Sequence, residues 1–200
     1  MTDETPALTV ADVAAWRAWL AEHCEGSTGV WLCLAKKGTT HPTSLTYDQA
    51  LQEALCCGWI DGQVRRLDER TYRQRFTPRR ARSMWSQRNV AIVERLAREG
   101  RMRPAGVAAV ERAKADGRWQ AAYAGQASSE VPADLAAALR VEPSAQAMFE
   151  GLSSQNRYAI LFRIGAAKRP ETRVRRIEGF VAMLARGETP HPQKRPPTDA

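Results

Sequence analysis

The chain has 200 residues, of which 44% are hydrophobic, and a formal net charge of +8. The hydrophobic share is ordinary for a globular protein, and the length suffices for one domain or for a domain with a small helical module. The longest apolar runs, such as YAILF at 158–162, are far shorter than the roughly 20 residues of a membrane-spanning helix, which excludes such a span.

Apolar periodicity divides the first half of the chain into helices and short strands. Apolar residues three and four positions apart predict helices in four segments, which are 9–23, 46–57, 87–99 and 105–116. Runs of β-prone residues predict three strands, which are 30–36, 63–67 and 71–77. We expect these strands to form an antiparallel sheet, in which the last two make a hairpin.

Local signals indicate where the helices begin and which side chains share a face. Thr9, Thr46 and Ser86 are the predicted N-terminal caps, because short polar side chains accept hydrogen bonds from the first free N–H groups of a helix. In the strand 71–77, alternation with period two places Arg73 and Arg75 on one face.

The second half of the chain predicts only helices, after a linker at 124–130. The predicted helices are 132–141, 144–151, 154–166 and 171–186. The expected fold is therefore α+β and mostly helical, with a small antiparallel sheet. The expected domains are an N-terminal α+β domain over 1–123, a C-terminal helical module over 130–187 and a disordered tail over 188–200.

The stretch CCGWIDGQ at 56–63 is the first candidate site. Its glycines permit a tight turn around Trp59 and Asp61. In one interpretation Trp59 is a wall of a pocket, and Asp61 accepts a hydrogen bond from a ligand. In the other, the stretch is a helix-to-strand turn, with Trp59 in the core and Asp61 bound to backbone N–H groups or to an arginine. The sequence leaves both open.

The segment FTPRRARSMWSQRN at 76–89 is the second candidate site. Arginine forks, serine hydroxyls and the start of a helix all suit a phosphate or a carboxylate, so we predict an anion-binding surface. A solvated basic face with Trp85 in the core is the alternative. The predicted ligand-binding residues of both candidate sites are Trp59, Asp61, Arg79, Ser83, Trp85, Ser86 and Asn89.

Positive charge is concentrated in two blocks. Residues 63–118 carry 16 basic and 6 acidic side chains, and residues 157–195 carry 10 basic and 3 acidic ones. This distribution indicates either an anionic partner or packing of basic segments on acidic ones. The stretch AAKRPETRVRRI at 166–177 is open to the same two interpretations. The predicted basic patch comprises Arg73, Arg75, Arg80, Arg82, Arg173 and Arg176.

The chain has four cysteines, and its acidic start does not resemble a secretory signal. We therefore expect a cytoplasmic protein with reduced thiols. No C-x-x-C pair is present and the three histidines are scattered, so neither a metal site nor a cofactor is expected.

Two longer stretches carry a resemblance to a known family. They are ALCCGWIDGQ…RTYRQRFTPRRARSMWSQRN at 54–89 and LSSQNRYAILFRIGAAKRPETRVRRIEGFVAMLARGE at 152–188. Together they resemble the YdeI/OmpD-associated proteins, also called bacteriocin-protection proteins, over about residues 30–190. The resemblance implies a role in resistance to bacteriocins or cationic antimicrobial peptides and an association with an outer-membrane porin. It implies no reaction and no cofactor.

Our leading hypothesis is a non-catalytic, cytoplasmic stress or resistance protein that binds an anionic ligand. The alternative is a sequence-independent nucleic-acid-binding protein that uses both basic blocks, and whose binding weakens steeply with salt. A third hypothesis is an enzyme that uses Asp61 or a cysteine, with a deep pocket around 56–62. The chain has no P-loop, no G-x-S-x-G and no H-E-x-x-H motif.

Overall fold

The computed structural model of the protein describes residues 6–123, 125, 130–167 and 169–193. The chain forms two compact units, Met1–Ala122 and Tyr123–Ala200. The described residues contain eight helices and a three-stranded antiparallel sheet, which confirms the predicted α+β, mostly helical fold. No helix among these residues has both the length and the apolar character that crossing a membrane requires.

In chain order, the N-terminal unit has one helix before its first strand, one helix between the first and second strands, and two helices after the third strand. Its helices are α1 (Val13–His23), α2 (Tyr47–Cys56), α3 (Gln87–Arg98) and α4 (Pro104–Ala115). Its strands are β1 (Val30–Ala35), β2 (Trp59–Arg66) and β3 (Thr71–Pro78). The strand order is β1-β3-β2, and each neighbouring pair is antiparallel. The three predicted strands and the hairpin are thus confirmed.

The start of α1 differs from the prediction. The N-terminal cap is Asp12, whose carboxylate accepts a hydrogen bond of 2.9 Å from the N–H of Ala15. Thr9 is too early because the chain just before it is extended: the N–H of Leu8 donates to the carbonyl oxygen of Trp31 at 2.7 Å. This pairing with β1 holds the segment away from helical geometry.

The start of β2 also differs from the prediction. The strand begins at Trp59, so only the first residue of the stretch GWIDG belongs to the helix-to-strand turn. Cys57 and Gly58 make that turn, and Gly58 has a φ of +74° that favours glycine. The pairing of β2 with β3 shifts register between Asp61 and Val64, so Gly62 lies in a bulge rather than at a strand start.

One face of the sheet packs on the helices. Leu32, Leu34 and Phe76 point from the sheet into a core shared with Trp16 of α1 and Leu51 of α2. The centres of the Trp16 and Phe76 rings are 5.8 Å apart. Since side chains alternate along a strand, the residues between these positions lie on the opposite face of the sheet.

The C-terminal unit is helical in its described residues, and it has its own apolar core. Its helices are α5 (Ala133–Val141), α6 (Pro143–Glu150), α7 (Ser154–Gly165) and α8 (Pro170–Ala185), in agreement with the predicted segments. The core includes Leu135, Leu139, Phe149, Ile160 and Leu184.

The chain beyond α8 stays attached to this unit up to residue 193. Buried Asn156 of α7 donates to the carbonyl oxygen of His191 at 3.0 Å and accepts from its N–H at 2.8 Å. The side chain of Gln193 accepts from the N–H of Ser153 at 2.9 Å. Residues 194–200 of the predicted tail, and residues 124 and 126–129 of the predicted linker, lie outside the described residues.

Candidate functional site

The two tryptophans of the predicted ligand-binding set are core residues. Trp59 and Trp85 are each 1% exposed. The indole N–H of Trp59 donates to the carbonyl oxygen of Cys24 at 3.0 Å, and the Trp85 ring packs edge-on against Trp119 with 4.8 Å between ring centres. Their burial leaves no ring face open to a ligand, so the core interpretation replaces that of pocket walls.

Among the described residues, Asp61 is held by a tyrosine rather than by an arginine or by backbone N–H groups. The Tyr47 hydroxyl donates to its carboxylate at 3.0 Å. Burial, followed by the charge of Asp61 and this hydrogen bond, raises the pKa of Tyr47 well above its usual value, so the phenol stays protonated and keeps donating. Arg88 lies 5.3 Å from the centre of the Tyr47 ring and pairs with Asp48 at 2.7 Å.

Arg79 belongs to the packing of its own loop. Its guanidinium carbon lies 3.6 Å from the centre of the Trp85 ring, and one N–H group donates to the carbonyl oxygen of Met84 at 3.0 Å. The backbone N–H of Arg79 donates to the carbonyl oxygen of Gly58 at 3.0 Å, which extends the pairing of β3 with β2. The residue therefore covers the core beside Trp85.

The remaining polar residues of the predicted set also have local partners. The Ser83 hydroxyl accepts from the N–H of Arg80 at 3.1 Å. The Ser86 hydroxyl accepts from the N–H of buried Asn89 at 3.2 Å, which confirms Ser86 as the cap of α3. Arg80 and Arg82 are exposed on this segment. The Ser83 and Ser86 hydroxyls thus stabilise the turn and the start of α3.

The sheet face opposite the core carries a more coherent group of side chains, which we name the sheet-face cluster: Trp31, Arg65, Arg73 and Arg75. Trp31 of β1 is directly opposite Arg75 of β3, and Arg65 of β2 is directly opposite Arg73 of β3. Directly opposite residues project from the same face of a sheet. The pairing therefore brings one aromatic and three basic side chains together.

Arg65 and Arg73 both lie against the Trp31 ring. Their guanidinium carbons are 5.0 Å and 5.3 Å from its centre, within the range of cation–π attraction. Trp31 is only 7% exposed. Across the described part of the chain, none of the three arginines forms an ion pair, and the buried Nε atom of Arg73 has no hydrogen-bond partner.

Sequence reasoning found only half of this cluster. Alternation within β3 placed Arg73 and Arg75 on one face, as the structure has them. Trp31 and Arg65 were missed because their proximity depends on strand register, which a single sequence does not fix. The available signal was the pair of arginines in the strand 63–67, directly across the predicted hairpin from Arg73.

The predicted basic patch is spread over several elements. In the C-terminal unit, Arg173 binds Asp134 through two hydrogen bonds of 2.6 Å and 2.9 Å, and these bonds lower the pKa of Asp134. Arg176 donates to the carbonyl oxygen of Arg163. Lys168, in the same basic stretch, lies outside the described residues. The charge of Arg173 is therefore compensated within its own unit.

The cysteines are free thiols, as predicted. Burial raises the pKa of Cys56, and it raises that of Cys57 to about 12. Both thiols are neutral at physiological pH and are poor nucleophiles, because the thiolate is the reactive form. Among residues 6–123, 125, 130–167 and 169–193, no group of three His, Cys, Asp or Glu side chains is placed to hold a metal ion.

Two families match this chain. The family described as Domain of unknown function (DUF8412) matches residues 8–109, about half of the sequence. The chain belongs to the DUF8412 family. Residues 128–187 of this DUF8412 protein match a second family, described as Bacteriocin-protection, YdeI or OmpD-Associated. No curated protein and no solved structure matches the chain.

These matches refine the family resemblance. The YdeI/OmpD-associated assignment is confirmed for the C-terminal part of this DUF8412 protein, over 128–187. The stretch 54–89 lies within the DUF8412 match instead, so the resemblance is narrower than the expected 30–190. The whole sheet-face cluster lies in the DUF8412 region.

Proposed function

We propose that this DUF8412 protein is a non-catalytic binding protein with a role in bacteriocin protection, and that its N-terminal unit holds an anionic partner on the sheet-face cluster. The family match over 128–187 supports the protective role. The free cysteines support a cytoplasmic location, where thiols stay reduced.

The observation that carries this proposal is the position of two guanidinium groups over one tryptophan ring. Contact with the Trp31 ring restricts the side chains of Arg65 and Arg73 before any ligand binds. A restricted guanidinium loses less conformational entropy when it binds a phosphate or carboxylate, and its planar fork matches both groups. The cluster is therefore a pre-organised anion-binding surface.

The surrounding charge favours the same class of partner. Residues 63–118, which include the three arginines of the cluster, carry a net charge of +10. A basic surface attracts anions over long range and raises their association rate, especially at low salt. The same charge repels cationic peptides, so direct capture of such peptides is disfavoured and protection acts through an anionic partner.

Replacing Arg65 and Arg73 together by glutamine is expected to weaken polyanion binding at least about tenfold, because two charge-assisted contacts are lost. The measurement is fluorescence anisotropy of labelled inorganic polyphosphate at fixed salt. The matched control is the double replacement of Arg80 and Arg82 by glutamine, which removes the same charge from an exposed segment. Equal weakening by both pairs would show that the cluster is not the site.

A nucleic acid is the second candidate partner, and the two guanidinium groups over Trp31 favour it. Unstacked bases stack on arginine planes as they do on aromatic rings. If three arginines contact phosphates, raising salt fourfold should weaken binding of a single strand roughly 20-fold. This slope is measured by titrating a labelled oligothymidine at about 50 mM and about 200 mM salt. Binding of polyphosphate without binding of the oligonucleotide would exclude a nucleic acid as the partner and leave the proposal of an anionic partner intact.

A further inference from the structure

A polar cavity of about 490 Å³ lies at the end of the sheet where β1 ends and the β2–β3 hairpin turns. It is lined by residues 36–41, Glu69 and Arg70. Its volume is within the roughly 300–1,000 Å³ that is typical of small-molecule sites. Neither the predicted ligand-binding set nor the sheet-face cluster includes any of these residues.

Hydrogen bonds between the two loops fix the walls of the cavity. The backbone N–H of Lys36 donates to the carbonyl oxygen of Arg70 at 2.9 Å, and the Thr39 hydroxyl donates to the same oxygen at 3.0 Å. Gly38 permits the turn between them with a φ of +82°. The Lys36 ammonium donates to the carbonyl oxygens of Asp68 and Glu69 at 2.8 Å and 3.2 Å. One of its three N–H groups remains for a ligand.

The nearest carboxylates form no ion pair with Lys37 or Arg70 in the described residues. Asp68 accepts from the N–H groups of Arg70 and Thr71 at 2.7 Å each and from the Thr71 hydroxyl at 2.8 Å. These bonds lower the pKa of Asp68, and the bond from the Thr71 hydroxyl has the largest effect. They also hold the carboxylate in the hairpin turn. Glu69 pairs with Arg66, at 3.2 Å on the surface.

Two cations of the lining have no such partner. In the described residues, the side chains of Lys37 and Arg70 form no ion pair, and both are exposed. Together with Lys36 they place three positive charges around one concave surface, against one negative charge from Glu69. The Thr40 hydroxyl adds a neutral donor to the lining.

We propose that this cavity is an anion site for a phosphorylated small molecule, separate from the sheet-face cluster. Arg70 supplies a planar fork for the phosphate, and Lys36 and Lys37 supply point charges. The concave volume beyond these cations accommodates the organic part of the ligand. The inference does not rest on the proposed function, since no residue is shared between the two surfaces.

The test compares ribose 5-phosphate with ribose in a titration followed by NMR. We expect saturable shifts of the backbone amides of residues 36–41 with the phosphorylated sugar and none with ribose. The double variant Lys37→Gln with Arg70→Gln should bind at least about tenfold more weakly, while its melting temperature stays close to that of the parent, because both side chains are exposed.

The matched control is the variant Arg65→Gln with Arg73→Gln, which has the same charge as the cavity variant. It should keep the affinity for ribose 5-phosphate while losing polyphosphate binding, so that failure of one proposal is distinguishable from failure of the other. Absence of saturation at about 10 mM ligand, equal shifts with ribose, or unchanged affinity in the cavity variant would each overturn the inference. Should the double variant fail to fold, the single variant Lys37→Gln carries the same comparison.

Discussion

The variant Gly106→Ala is expected to lower the free energy of unfolding of the N-terminal unit by about 3 kcal/mol. Gly106 lies in α4, and a Cβ atom there would be 2.2 Å from the carbonyl oxygen of Cys56 and 2.9 Å from its carbonyl carbon. These are backbone atoms, so no side-chain rotation relieves the overlap. Helices α2 and α4 would have to move apart, which strains the bond from the Arg103 N–H to the same carbonyl, 3.0 Å long.

Urea unfolding followed by tryptophan fluorescence measures this effect in the correct unit, since all six tryptophans lie between residues 16 and 119. The matched control is Gly179→Ala in α8, where, apart from its chain neighbours and the adjacent backbone of its own helix, no heavy atom of the described residues lies within 4 Å of the added Cβ. Alanine is favoured over glycine in a helix interior by about 1 kcal/mol, so the control should stabilise the C-terminal unit, as followed by far-UV circular dichroism, and leave the urea midpoint reported by the tryptophans unchanged. An unchanged urea midpoint for Gly106→Ala would contradict the close approach of α2 and α4.

The elements were predictable where the signal is local. Helical periodicity identified α5 to α8, and Ser86 identified the start of α3, because caps and apolar stripes are encoded within a few residues. The predicted starts of α1 and β2 were wrong because both depend on tertiary contacts. Pairing with β1 keeps the chain around Leu8 extended, and a bulge at Gly62 lets β2 begin at Trp59 although the glycine suggested a turn.

The candidate site was less predictable, because accessibility is a property of the fold. A tryptophan among arginines and serines has the same sequence pattern whether its ring is open or 1% exposed, as that of Trp85 is. The partner of Asp61 lies 14 positions earlier, at Tyr47. The partners of Trp31 are more than 30 positions later, and only strand register brings them together.

Replacing Glu53 by glutamine is expected to lower the free energy of unfolding by about 2 kcal/mol at neutral pH. Glu53 is 5% exposed, although it carries a charge, and no sequence signal marked it. Its carboxylate accepts two hydrogen bonds from Arg17, at 2.8 Å and 2.9 Å, and one from Arg101 at 2.5 Å. Glutamine keeps the volume but loses the charge, so these charge-assisted bonds to two arginines are weakened or lost.

The pH dependence separates this ion cluster from a packing effect. Burial alone raises the pKa of Glu53, but the hydrogen bonds and charges of Arg17 and Arg101 outweigh burial and leave the pKa below its usual value. A carboxyl group with a lower pKa in the folded state stabilises the fold above its unfolded pKa of about 4.3, and this stabilisation is lost as the pH falls through the folded pKa.

The difference between parent and Glu53→Gln should therefore stay constant near neutral pH and shrink below about pH 4. The control Glu111→Gln removes a carboxylate that is 61% exposed and paired with Lys114, and it should change stability by less than about 0.5 kcal/mol. Comparing each variant with the parent cancels the titration of the other carboxyl groups. A stability difference that stays constant through the acid range would mean that the charge of Glu53 does not stabilise the fold.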